Sequence, residues 1–335
     1  MDDPHYALTH WFPTGTATID PIVSGGFSGA RVWRVTHDQR HFALRCWPRS
    51  AGSPCRLGVN LLLQDHLADD GLPVPRSVST TSGPSIVYID GHSWGLATWM
   101  LGEADYWQTP RPVKLQAALA TLAHLHVSSA RMTAGGPRYR ARTAHSPGLV
   151  KRANRLQEFV SGDFYQLETA VRRHGSSSET SLAREALSLI ERTAPAQLEA
   201  SWRWRRIELP LQWCLRDVWH DHVLFTGDSV TGIIDFDAAA IDSPAGDVAR
   251  LLGSLVGDAP DPWAVGLESY CQARPLSQVE LEAVRFFDAS GTVLSAVNWL
   301  HWLFRDKAAL GAQIDRQACL QRLARLVVRL RILAS

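Results

Sequence analysis

The order of patterns along the chain predicts an α+β protein with a small lobe built on an antiparallel sheet and a larger, mainly helical lobe. Short apolar and β-branched segments separated by turns fill most of the chain up to residue 100. After residue 103 the apolar residues mostly follow helical spacing, and one strand–turn–strand pattern interrupts them at 223–234. We therefore expect two lobes, residues 1–102 and residues 103–335.

Composition narrows the class of protein. The 335 residues suffice for two lobes with full cores, and 34 Lys and Arg against 33 Asp and Glu give no general attraction to nucleic acid or membranes. Five cysteines without a Cys-x-x-Cys pair indicate free thiols in a reducing compartment. With no signal-peptide pattern and no apolar run of ~18 residues, we expect a cytoplasmic monomer or homodimer. Some of the 13 Trp could line a pocket for a cationic ligand.

The small lobe is predicted to hold five strands and one helix. Strand, glycine turn, strand, turn and strand follow one another over 17–47, and two further strands are expected at 86–89 and 96–100. Leucines at helical spacing predict a helix over 56–69, which Gly71 closes.

The larger lobe is predicted to be helical, with strands confined to the hairpin around 223–234. Loops are expected at 131–147 and around 258–263, where Gly, Pro or charged residues interrupt the apolar spacing. Helices are expected at 115–127, 149–174, 181–193, 247–256, 286–304 and 316–333.

A glycine-rich turn, Ser24-Gly25-Gly26-Phe27-Ser28-Gly29-Ala30, follows the first predicted strand. Glycines let backbone N–H groups approach phosphate oxygens closely, because no Cβ intervenes. A plain hairpin turn is the more frequent interpretation of such a cluster. Both interpretations stay open on the pattern alone.

The stretch 215–247 carries the densest set of chemically active residues. The hairpin at 223–234 holds its two ends together, so it can bring Asp217 and Asp235 to one mouth. Two carboxylates side by side are costly unless a cation lies between them. The frame Arg216-Asp217, then His222, then Asp235-Phe236-Asp237 has the spacing of the motifs that hold the base and the metal ions of phosphoryl transfer. An isolated Asp-Phe-Asp would be interpreted as a strand-end turn.

The run IIDFDAAAIDSPAGDVARLL extends that match and resembles the aminoglycoside phosphotransferase and choline kinase superfamily. Asp235, Asp242 and Asp247 fall on the superfamily's pattern. The resemblance implies a bilobal protein-kinase-like fold. It also implies ATP-dependent phosphorylation of a hydroxyl on a small molecule, with an aminoglycoside, choline, homoserine or a sugar-like compound as acceptor. ATP and Mg²⁺ are the implied cofactors, and Mn²⁺ is an option.

The same resemblance implies a role for each candidate residue. Asp217 is the expected catalytic base, and Asp235 and His222 are the expected metal ligands. The expected nucleotide contacts are Gly25, Gly26, Ser28, Gly29, Arg45 and the hinge residues Thr98, Trp99, Met100 and Leu101. The expected acceptor contacts are Asp237, Asp242, Asn298, Trp299 and Trp302.

Three positions depart from the superfamily's pattern. Arg45 stands where a Lys is usual, Asn60 where a Glu is usual, and His222 where an Asn is usual. A neutral imidazole binds Mg²⁺ less well than an amide oxygen and suits Mn²⁺ or Zn²⁺ better.

Two alternatives therefore stay open beside the kinase. One is a catalytically impaired nucleotide-binding protein on the same scaffold. The other is a metal-dependent hydrolase that uses His220, His222 and Asp235.

Overall fold

The computed structural model describes most of the chain. The described residues are 3–14, 17–20, 24–25, 29–49, 54–174, 177–306 and 315–335. Two candidates for the nucleotide site, Gly26 and Ser28, lie outside these ranges.

The small lobe contains an antiparallel sheet of seven strands within the described ranges. The strands are β1 (Thr18–Ile19), β2 (Ser24–Gly25), β3 (Arg31–His37), β4 (Arg40–Trp47), β5 (Ser77–Val78), β6 (Ile86–Ile89) and β7 (His92–Thr98). The seven strands pair in the order β1-β3-β4-β7-β5, with β2 on β3 and β6 on β7. The two-residue strands β2 and β5 are additions to the five strands that were predicted.

The long strands β3 and β4 form because their apolar residues alternate and share one face. Val35 and Leu44 are fully buried in the core of the small lobe. The two-residue turn between the strands, Asp38-Gln39, has positive φ at both positions, which matches the right-handed strand twist. The predicted helix is α2, Pro54–Asp69, and a short helix α1, Pro4–Leu8, precedes the sheet.

The larger lobe is mainly helical, as predicted. Its helices are α3 (Pro112–Ala130), α4 (Pro147–Glu158), α5 (Phe164–Arg172), α6 (Ser178–Trp204), α7 (Pro244–Val256), α8 (Pro260–Ala273), α9 (Gln278–Leu300) and α10 (Arg316–Ala334). The helix expected over 149–174 is in fact two helices, because a π-helical segment with non-helical backbone at Gly162 separates α4 from α5. The prediction of a loop around 258–263 is wrong, since α8 begins there with Pro260 in its first turn.

The prediction that strands outside the small lobe are confined to one hairpin is also wrong. The hairpin is present as β10 (Val223–Thr226) and β11 (Ser229–Ile233). A second antiparallel sheet joins β8 (Arg142–His145), β9 (Glu208–Cys214) and β12 (Ala240–Asp242), with β9 in the centre. Strand β9 is nearly all buried and does not alternate, so its spacing gives no strand signal.

Two apolar clusters stabilise the larger lobe. One contains Leu119 of α3, Trp213 of β9 and Leu252 of α7, so it lies directly under the segment that follows β9. The other contains Ile190 of α6 and Leu323 of α10. Within the described ranges, no helix has both the length and the apolar composition needed to cross a bilayer.

Candidate active site

The segment after β9 is held in place by a buried carboxylate. Asp247, in the first turn of α7, is 1% exposed and accepts hydrogen bonds from the backbone N–H groups of Leu215 (2.6 Å) and Arg216 (2.7 Å). Its Oδ2 also lies 3.1 Å from Nε2 of His126 on α3. Arg216 has a left-handed φ of 66°, so the chain turns sharply just before Asp217.

Asp217 presents a half-exposed carboxylate to the cleft between the lobes. Its Oδ1 lies 2.7 Å from Nη2 of Arg250. Arg250 follows Asp247 by three residues on α7, so the helix that holds the loop also supplies the cation that holds Asp217. Sequence reasoning missed Arg250, although the predicted helix at 247–256 contained the signal.

His222 is fixed in one tautomer. Its Nδ1 lies 2.9 Å from the backbone oxygen of Asp217, and because that carbonyl can only accept, Nδ1 carries the proton. Nε2 accepts a hydrogen bond from the indole N–H of Trp219 (2.8 Å) and lies 3.6 Å from Oδ2 of Asp235. Burial lowers the pKa of His222 more than the nearby carboxylates of Asp235 and Asp217 raise it, so the imidazole is neutral.

Arg45 joins the two lobes through a pair of carboxylates. Its Nη2 lies 3.2 Å from Oδ1 of Asp235 and 2.8 Å from Oδ2 of Asp237. Burial raises the pKa of Asp235, but the charges of Arg45 and His222 lower it by a larger amount, so the net shift of the pKa is downward. Burial together with the charge of Asp235 raises the pKa of Asp237 despite the contact with Arg45.

Asn60 does not form an ion pair, and its amide serves a different purpose. Its Nδ2 donates to the backbone oxygens of Phe236 (3.0 Å) and Asp237 (3.3 Å), which anchors this turn to α2. Asp237, fixed by the indole N–H of Trp47 at 2.9 Å, is the carboxylate beside Arg45. In place of a glutamate on α2, the turn itself therefore supplies a counter-ion. The expected acceptor contact of Asp237 stays a prediction.

One pair of side chains, Asp235 and His222, offers suitable ligand atoms for a divalent cation. Oδ2 of Asp235 and Nε2 of His222 face each other, and a carboxylate oxygen with an imidazole nitrogen suits Mn²⁺ well and Mg²⁺ less well. In the described part of the chain, only His126, Cys214 and Asp247 bring three potential ligand atoms within 4.8 Å of one another.

That buried set already has other partners. Nδ1 of His126 lies 2.7 Å from the hydroxyl of Tyr270, and Sγ of Cys214 lies 3.2 Å from the backbone oxygen of Asp242. The three residues of the hydrolase hypothesis do not form such a set. Nε2 of His220 instead lies 3.2 Å from Oδ1 of Asp221.

A cleft of about 2070 Å³ is lined by four of the nucleotide candidates, Arg45, Thr98, Trp99 and Met100. At the hinge, the backbone N–H of Trp99 donates a hydrogen bond to the backbone oxygen of His41 at 3.0 Å. Leu101 is exposed, and its backbone oxygen accepts from the Thr231 hydroxyl at 2.8 Å.

Part of the glycine turn lies near the same cleft. Gly25 belongs to β2 and pairs with Arg31, and Gly29 has a φ of 72°. The neighbouring Ala30 borders the cleft. A phosphate-binding role of this turn stays a prediction.

The acceptor candidates divide into two groups. Asn298, Trp299 and Trp302 line the same cleft as Asp217. Asp242 is 4% exposed, and its Oδ1 accepts hydrogen bonds from the hydroxyl of Ser146 (2.5 Å) and the backbone of Ser243 (2.9 Å). Its Oδ2 lies 3.3 Å from Nε of Arg216. These contacts stabilise the loop around Asp217, and an acceptor contact of Asp242 stays a prediction.

A strand-rich lobe carrying Arg45 above a helical lobe carrying Asp217 and Asp235 defines the protein as kinase-like, and solved structures agree. The chain superposes on spectinomycin phosphotransferase APH(9)-Ia, in complex with ADP and spectinomycin, with a TM-score of 0.67 at 13% identity, covering 98% of this chain and 97% of that one. It superposes on a microcompartment-associated aminopropanol kinase with a TM-score of 0.61 at 18% identity, covering 98% and 95%. The predicted protein-kinase-like fold is confirmed.

The model of the phosphotransferase enzyme family (APH) matches residues 21–286, so the chain belongs to that family, and the predicted resemblance is confirmed. The chain is 27% identical over 230 residues to a homoserine kinase of Brucella anthropi (strain ATCC 49188). The match spans 66% of this chain and 61% of the length of that relative.

Proposed function

We propose that the protein is an ATP-dependent phosphotransferase that acts on the hydroxyl of a small molecule. The observation that carries this proposal is the meeting of Arg45 with Asp235 at 3.2 Å across the lobes, in a cleft that Asp217 also lines. Its membership of the phosphotransferase enzyme family supports the proposal, as do its similarity to a homoserine kinase and to kinase structures solved with ADP or AMP-PNP. Homoserine, choline, aminoglycosides and sugar-like alcohols are the acceptor classes under this proposal.

Asp217 serves as the base in this mechanism. Arg250 holds Oδ1, which leaves Oδ2 to accept the proton of the acceptor hydroxyl. His222 holds the backbone oxygen of Asp217 and Arg250 holds its side chain, so both parts of the residue are positioned. Because phosphoryl transfer depends on alignment and charge stabilisation, this rigidity favours catalysis.

Asp235 and His222 would hold the divalent cation in this mechanism. When bound, such an ion neutralises charge on the phosphate oxygens. Trp219 must release Nε2 of His222 for that ligand to be used. Arg45 contacts the phosphates through its planar guanidinium, while Asp237 keeps it oriented.

The test separates the roles of the two carboxylates. ADP formation is measured over a panel of hydroxylated amines, acids and sugars, with and without each acceptor, and AMP-PNP affinity is measured by calorimetry. Asp217→Asn should bind nucleotide and metal like wild type but lose turnover by about 10²–10⁴-fold. Asp235→Ala should lose metal-dependent nucleotide binding as well as turnover. The reverse pattern would show that the two assignments are exchanged.

A catalytically impaired nucleotide-binding protein is the second candidate. It is favoured by the hydrogen bond from Trp219 to Nε2 of His222, which occupies the nitrogen that a metal would need. In that case wild type forms no ADP with any acceptor, AMP-PNP still binds, and His222→Asn stays inactive.

A further inference from the structure

The side of the cleft that the helical lobe forms is rich in basic side chains. From residue 147 onward, apart from Asp235 and Asp237, eight basic and six acidic residues line it. The basic residues are Lys151, Arg152, Arg155, Arg216, Arg250, Arg322, Arg325 and Arg329. The acidic residues are Asp217, Asp221, Asp242, Asp247, Asp258 and Asp288.

Each of these acids already has a cationic or hydrogen-bond partner. Asp247 holds backbone N–H groups and His126, as described above. The remaining contacts are Asp217 with Arg250, Asp221 with Arg322, Asp242 with Arg216, and both Asp258 and Asp288 with Arg329. A positively charged acceptor would therefore find its carboxylate partners occupied.

Three tryptophans that line the cleft already contact an arginine of the protein. The guanidinium of Arg322 lies 4.2 Å from the ring centroid of Trp219 and 5.5 Å from that of Trp299. The guanidinium of Arg325 lies 3.5 Å from the ring centroid of Trp107. A face of each of these rings is covered by a cation of the protein, which argues against the cationic ligand that the tryptophan content suggested.

Arg152 is a partly buried arginine that lines the cleft. It projects from α4, and its guanidinium lies 4.9 Å from the ring centroid of Phe287. Its Nε is buried without a hydrogen-bond partner, and within the described ranges no carboxylate pairs with it. Burial lowers the pKa of Arg152 to about 10, the charges of Arg250 and Arg216 lower it as well, and the carboxylates of Asp242 and Asp288 offset only part of this shift. Buried donors are normally paired, so this group calls for an anionic partner.

Arg216 and Arg250 bring two further guanidinium groups to the cleft that Arg152 lines. Arg216 lies directly before Asp217, with a left-handed φ of 66°. Its Nε lies beside Asp242, and Nη2 of Arg250 lies beside Asp217, so each guanidinium keeps further N–H donors for a ligand.

We propose that the acceptor is an alcohol that also carries a carboxylate or phosphate group, bound by Arg152, Arg216 and Arg250 so that its hydroxyl lies at Asp217. This proposal rests on the proposed function, because it assigns the acceptor of the same phosphotransfer. It disfavours choline and aminoglycosides. Guanidinium groups bind both carboxylates and phosphates in a bidentate way, so the two anions are distinguished by experiment.

The test is a set of calorimetric titrations of protein saturated with AMP-PNP and Mg²⁺, so that small anions cannot occupy the nucleotide site. Inorganic phosphate and succinate represent the two anion classes, and choline represents a cation. Wild type should bind at least one of the anions more tightly than choline. Arg152→Gln should weaken that binding by about tenfold or more, as expected for the loss of a charged hydrogen bond. Arg152→Lys should retain part of the affinity.

Arg172→Gln is the matched control, because Arg172 is a solvent-exposed arginine of the same lobe that pairs with Glu168. It should bind anions like wild type. Thermal unfolding checks that each variant folds, and Arg216→Gln replaces Arg152→Gln if the latter does not. Wild type that binds neither anion, or a folded Arg152→Gln that binds as tightly as wild type, overturns the proposal.

Failure of the proposed function would appear separately, as absence of AMP-PNP binding. The anion titration is then performed on the nucleotide-free protein. There Arg45→Ala reports binding at the nucleotide side of the cleft, and Arg152→Gln reports binding at the acceptor side.

Discussion

Replacing Asp247 by Asn tests how the base is positioned. The amide keeps one acceptor oxygen but turns the other oxygen into an NH₂ group. That group then faces a backbone N–H, of Leu215 or Arg216, at 2.6–2.7 Å. One charge-assisted hydrogen bond is lost, at about 1.5–3 kcal/mol, and one buried N–H is left unsatisfied, at about 1–3 kcal/mol. We expect a loss of about 3–5 kcal/mol in the free energy of unfolding, and a fall in turnover of about 10²-fold as Asp217 shifts.

The assays are urea unfolding followed by tryptophan fluorescence and acceptor-dependent ADP formation. Asp261→Asn, an exposed carboxylate on α8, makes the same change of charge and should stay within about 0.5 kcal/mol of wild type. If Asp247→Asn unfolds at the same urea concentration as this control, the buried hydrogen bonds do not hold the loop. Lost turnover with unchanged stability would assign Asp247 a more direct role in catalysis.

Three further predictions concern the hinge, a buried carboxylate and the metal site. Gly102→Ala should lower the free energy of unfolding by about 1–3 kcal/mol in thermal or urea unfolding, because φ is 102° and a Cβ would lie 2.7 Å from the backbone oxygen of Phe225. Burial raises the pKa of Asp288 to about 6, more than Arg329 lowers it. The stability that it contributes is therefore complete below its unfolded pKa of 3.8 and is lost as the pH rises through 6. Between pH 4 and 7, Asp288→Asn should remove up to about 3 kcal/mol of the pH dependence of the free energy of unfolding. If the free energy of unfolding of this variant changes with pH in parallel to wild type, the raised pKa of Asp288 is contradicted. His222→Asn should raise the ratio of Mg²⁺-supported to Mn²⁺-supported turnover, and an unchanged ratio would show that His222 is not a ligand.

The sequence by itself determined the features that depend on neighbours along the chain. The hairpin after His222, the helix that begins before Asp247 and the alternation in β3 and β4 are all short-range patterns, and the structure has each of them. The spacing of Asp217 and Asp235 also indicated the family, because a hairpin brings its two ends together whatever it packs against.

Tertiary structure decided which partner each charged group takes. The approach of Asp237 to Arg45, at 2.8 Å, joins positions far apart in the chain, and it stands in for the Glu on α2 that the superfamily's pattern has. Asp242, expected at the acceptor, is buried because β12 pairs with β9, a pairing that neither segment signals alone. Arg152 carries no sequence signal, because its position beside Phe287 follows from the packing of α4 against α9. Local patterns specify backbone conformation, whereas counter-ions and burial follow from the packing of distant segments.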